Sequence, residues 1–155
     1  MQQSADARAR SDGIRDRAQP LLPVADRKLF RVAIFAAARQ VDAIVGEEPE
    51  RSPFHNYVAT EVTPQRGRSL LVLKNDYLPI VAFSLKSSDL PEFVAWPQSG
   101  AALIEVDPSL RVCEPDELNR RPTDRDLAQL GDAERQEVKY WKPTTIGEII
   151  FNWWD

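Results

Sequence analysis

Apolar residues recur at helical spacing through "DRKLFRVAIFAAARQVDAIVGE", residues 26–47. On a wheel turning about 100° per residue, Leu29, Phe30, Ala33, Ile34, Ala37, Val41, Ile44 and Val45 share one broad face. Arg31, Arg39 and Asp42 hold the remaining polar strip. Asp26 is a good N-cap type and Gly46 a good stop. The pattern predicts one long N-terminal core helix.

After "EEPERSP", a loop carrying Pro49 and Pro53, the period changes from helical to two. "HNYVATEV" and "RSLLVLKN" flank the turn-forming "TPQRG" and predict a hairpin. Asn75–Asp76 then turns the chain into "YLPIVAFSLK". Leu70–Leu73 and Ile80–Phe83 are apolar on both alternating sides, which suits central strands covered on each face. Pro79 cannot donate to a ladder and is expected at a strand start, an edge or a bulge. "EFVAW", "AALIEV" and "LRVC" are shorter strand candidates, separated by Pro91, Pro97, Gly100 and Pro108.

The last forty or so residues return to helical signals. Thr123 and Asp126 stand at capping-box spacing before "DRDLAQL", which Gly131 stops. Asp132 is placed to cap "AERQEVKYW", which Pro143 ends. Helix, then sheet, then helices predicts an α+β fold: an antiparallel meander of about four to six strands against a long N-terminal helix and short C-terminal helices. Residues 26–155 read as a single domain. Residues 1–25 read as an arm and a link, because Ile14 is the only large apolar residue in "SADARARSDGIRDRA" and Pro20 and Pro23 follow.

The chain closes on "KPTTIGEIIFNWWD". Thr145 and Glu148 repeat the capping-box spacing, which predicts helix from Ile146 onward. Ile146, Ile149, Ile150 and Trp153 form one stripe, Phe151 and Trp154 widen it, and Gly147 leaves room on that flank for another backbone. Glu148 and Asn152 are its only polar edge. A helix of about ten residues is marginal alone, so packing must hold it. One account docks it on the chain's own sheet. The other uses its outer flank, with Tyr140 and Trp141 just upstream, as a partner anchor, since buried Trp and Tyr dominate interface energetics. The candidate partner-binding residues are therefore Tyr140, Trp141, Phe151, Trp153 and Trp154.

Composition narrows the function classes. The chain has 155 residues, 43% hydrophobic and 28% charged, which supports a packed core. No apolar run reaches the ~20 residues of a membrane span, and no secretory stretch opens the sequence, so a cytoplasmic location is expected. A net charge of −4 disfavours nucleic acid as the main partner. One histidine, His55, and one cysteine, Cys113, preclude an ordinary zinc ligand set in a monomer. A Cys113–His55 dyad has only composition behind it. No phosphate loop or nucleophile elbow occurs, and no cofactor or metal is expected. The acid pairs Glu47–Glu48, Asp116–Glu117 and Asp124/Asp126 lie where capping and solubility explain them. A secondary surface is Arg31, Phe35 and Arg39, which places an aromatic between two guanidiniums.

These features predict a small, non-enzymatic protein that binds another protein, such as an immunity- or antitoxin-like inhibitor or a small subunit of a larger assembly. Self-association is compatible with the same patches. A nucleic-acid-associated regulator using Arg31, Phe35, Arg39 and the arm is the rival class, and an enzyme with scattered carboxylates is the third.

Overall fold

The computed structural model describes residues 27–47, 55–86 and 91–152. The arm at 1–25, the Asp26 cap, the "EPERSPF" loop, Trp153 and Trp154 lie outside the described residues. Helix α1 (Arg27–Gln40) leads into strands β1 (Ala43–Val45), β2 (Tyr57–Pro64), β3 (Leu70–Asn75), β4 (Ile80–Leu85) and β5 (Glu92–Val94). Helix α2 (Pro97–Val106), strand β6 (Arg111–Val112) and helices α3 (Pro115–Leu118), α4 (Asp124–Ala128), α5 (Asp132–Trp141) and α6 (Ile146–Ile150) follow.

The first five strands form an antiparallel meander in chain order, and β6 adds to β4 in parallel. β2 and β3 pair from Tyr57↔Asn75 to Val62↔Leu70. The free edge of β4 is divided: Ile80 and Val81 face β6, while Phe83 to Leu85 face β5. Pro79 sits just before β4, as its missing N–H requires, and its carbonyl accepts from the Arg111 amide at 2.8 Å.

Strand alternation sorts the core into two layers. Val62, Val72, Val81 and Phe83 face one way and pack with Phe30, Ile34 and Ala37 of α1 and Leu103 of α2. Leu73, Ile80 and Ala82 face the other way and pack with Leu118, Ile146, Ile150 and Phe151. The both-sides-apolar runs are thus central strands with helices on each side.

Two expectations need correction. The N-terminal helix is short: it ends at Gln40, and Ala43–Val45 pair with Val62–Pro64 as an edge strand. Asp42 makes the break at φ 51°, a left-handed position that Asp tolerates better than most residues. β-branched Ile44 and Val45 then gain more from the open edge of β2 than from another helical turn. Likewise "AALIEV" is the end of α2, not a strand. Pro97 starts that helix, and the packing of Ala102 and Leu103 against α1 outweighs the β-like composition.

Candidate functional site

Helix α6 answers what holds the terminal stretch. Ile146, Ile149 and Ile150 are buried, and so is Phe151. Thr145 Oγ1 accepts from the Glu148 amide at 3.3 Å, as its spacing predicts. The Glu148 carboxylate reaches one residue further back than a capping box would, taking the Thr144 amide at 2.7 Å. Gly147 is required by a close approach: a Cβ there would collide with the Phe93 ring and stand 3.1 Å from the Leu118 carbonyl.

The helix stops after one turn, short of the stripe that its spacing suggests, and three asparagines explain why. Asn75 Nδ2 donates to the Ile150 carbonyl at 2.9 Å, and Asn152 Nδ2 donates to Ile149 at 3.2 Å. Both carbonyls belong to the helix end, where intrahelical partners run out. The Asn152 amide donates to Asn56 Oδ1 at 2.9 Å, and the Asn56 amide returns a bond to the Asn152 carbonyl at 3.1 Å. Asn75 Oδ1 also accepts from the Tyr77 and Leu78 amides at 2.9 and 3.0 Å, shaping the β3–β4 turn. Asn56, Asn75 and Asn152 are all buried, and together they tie the last turn to the end of the sheet.

This arrangement separates the aromatic candidates. Phe151 is core, edge-on to Tyr57 at 5.7 Å and tilted to Phe93 at 6.0 Å, so it offers no surface to a partner. Tyr140 and Trp141 are on the outside, 76% and 37% exposed. Their rings meet in a T-shaped contact at 5.1 Å, and Trp141 Nε1 donates to Glu137 Oε2 at 2.9 Å. They close α5, a ten-residue helix that buries none of its residues. Lys142 ends it in the left-handed region, φ 50°, donating its amide to Val138 at 2.8 Å. The structure does not bring Tyr140 and Trp141 together with Phe151 in one patch.

The secondary surface lies on the outer side of α1. The Arg31 guanidinium sits 5.1 Å from the Phe35 ring centroid and donates to the Gly46 carbonyl at 2.8 Å. Arg39 lines the same face.

Groups suited to chemistry have structural partners. Burial pushes the Cys113 thiol up to about 11 against the pull of Arg111, so it is protonated at neutral pH. Arg111 donates to Cys113 Sγ at 3.0 Å and grips both Glu117 oxygens at 2.8 and 2.9 Å. His55 stacks on Tyr57 at 5.1 Å, and burial lowers its pKa against the opposing charge of Asp76. Asp126 completes the capping box with Thr123 and binds Arg120 at 2.7 Å. Burial raises its pKa, but these bonds outweigh burial and leave it below the ordinary value. Lys74 was not visible as special in sequence: it is buried, donates to the Asn75 carbonyl and, at 2.9 Å, to Leu78, and burial lowers its pKa to about 8. A cleft of about 460 Å³ opens where the β4 edge passes from β5 to β6, walled by Phe83, Trp96, Ile104 and Val112. Arg111 at that cleft is already neutralised by Glu117, leaving mainly apolar wall. No cluster of metal-ligating side chains and no helix long and apolar enough to cross a membrane occurs among the described residues. Comparison with protein-family models, curated proteins and solved structures gives no match.

Proposed function

We propose that this chain is a non-enzymatic protein-binding module whose docking surface is centred on Tyr140 and Trp141. The observation that carries the reading is the exposed Tyr–Trp pair at the end of a helix that buries no residue. Two large aromatics held in mutual contact add little to their own core, yet they offer rigid apolar area at small entropic cost. An inhibitor of the immunity or antitoxin type, acting in the cytoplasm, or a small subunit of an assembly would use such a surface.

The test is a photoreactive phenylalanine analogue at position 140 of the full chain, irradiated in cells that express it natively. The reading expects a discrete cross-linked protein that disappears with Trp141→Ser while thermal unfolding stays cooperative and the chain is folded at the assay temperature. Equal cross-linking with and without Trp141, or none, rejects it.

A further inference from the structure

We infer that the outer face of α1 is a second interface, one that takes an acidic peptide segment studded with apolar side chains. This inference does not depend on the role given to Tyr140 and Trp141. The inner face of α1 is committed to the core through Phe30, Ala33, Ile34, Ala37 and Ala38. The outer face carries Leu29, Val32 and Phe35 at 41%, 57% and 44% exposure, an apolar row at every third residue. Such a row on an otherwise finished helix is what a partner helix or strand covers.

Charge states the chemistry of that partner. Helix α1 reads "RKLFRVAIFAAARQ", with Arg27, Lys28, Arg31 and Arg39 and no acid, in a chain whose net charge is −4. Lys28, Arg31 and Arg39 line the same face as Val32 and Phe35. The Arg31 guanidinium is held over Phe35 by its bond to Gly46, while its buried Nη1 has no acceptor among the described residues. A carboxylate that draws Arg31 slightly outward therefore adds a charge-assisted bond at a nitrogen that the described residues leave without one. Nucleic acid supplies negative charge but no aliphatic cover for Leu29 and Val32, and an anionic lipid surface would meet the repulsion of the remaining acidic surface. An acidic amphipathic peptide covers the row and complements the positive charge of this face.

The experiment selects a phage library of random 16-residue peptides on the full chain, with counter-selection on Arg31→Glu and on Val32→Glu. Val32→Glu disturbs no hydrogen bond, so it reads the face even where Arg31→Glu perturbs the Gly46 contact. The expected outcome is enriched peptides with Asp or Glu interleaved with Leu, Ile or Phe. They should bind at least tenfold more weakly to either variant and more weakly as salt rises. Peptides without an acidic excess, or peptides that bind wild type and both variants equally, overturn the inference. So does tighter variant-sensitive binding of a 20-nucleotide single strand or of vesicles one-third anionic. A wild-type dimer in sedimentation that Val32→Glu dissolves would assign the face to a second copy and overturn it too.

Discussion

Gly147→Ala sets two known effects against each other. Within a helix, alanine is favoured over glycine by about 1 kcal/mol at most, and less in the first turn of so short a helix as Ile146–Ile150. Against that gain, the new Cβ collides with the Phe93 ring and stands 3.1 Å from the Leu118 carbonyl. Neither neighbour yields easily: the ring is packed on Phe151, and the carbonyl is backbone at the end of α3. Overpacking of this kind typically costs ~1–3 kcal/mol, so the clash wins by about 1–2 kcal/mol. In a domain of this size that lowers the melting temperature by roughly 2–8 °C. Phe93→Leu removes the colliding ring edge, so the penalty of Gly147→Ala should shrink by about 1 kcal/mol in that background. Urea and thermal unfolding of the four proteins of this cycle measure it. A Gly147→Ala protein as stable as wild type, or an identical penalty in both backgrounds, refutes the argument that Gly147 is there for close packing.

Asn75→Ala strips three hydrogen bonds from a buried position and leaves the Ile150 carbonyl without its donor. At ~1–3 kcal/mol per buried group left unpaired, the urea midpoint should fall by the equivalent of about 3 kcal/mol. Lys74 predicts a pH dependence. Its amine titrates near 8 in the fold against an ordinary 10.5, so between those values the unfolded chain holds more protons and stability rises with pH. Below about pH 8 both states are protonated and this contribution is flat. Unfolding midpoints at pH 7.5 and 9 should show the rise in wild type and not in Lys74→Met; above pH 9 the Cys113 thiol, raised to about 11, works in the opposite direction. Tyr140→Ser should shift stability by under about 1 kcal/mol in thermal melts, because the Tyr140 side chain is 76% exposed.

The order helix–meander–helices was legible because its signals are local and periodic. Alternation in Leu70–Leu73 and Ile80–Phe83 specified strands covered on both sides, and Thr123 with Asp126 specified a cap that the structure forms in full. What failed was set by tertiary context. Val41 to Val45 fits a helical wheel, and only the vacant edge of β2 makes Ala43–Val45 a strand. "AALIEV" has strand composition, and only α1 beside it makes it helix. The asparagine tie is not legible in the sequence because its members are far apart in the chain. Asn75 reads as one half of a turn and Asn152 as the polar edge of a helix; nothing local says that they cap the neighbouring carbonyls of Ile150 and Ile149. An Asn directly after an apolar helical turn was the one available hint. For the candidate surfaces, the exposed Arg31–Phe35 stack followed from four-residue spacing, whereas the burial of Phe151 required knowing where β2 and β5 lie.

Phe151 belongs to a pinned, buried turn, whereas Tyr140 and Trp141 lie on the outside of a lightly held helix. Amide hydrogen exchange of the full chain measures that division directly. The Phe151 and Asn152 amides, bonded to Gly147 and Asn56, should exchange as slowly as those of β3 and β4, and the amides of α5 much faster. Rapid exchange at Phe151 and Asn152 together with slow exchange along α5 would contradict it.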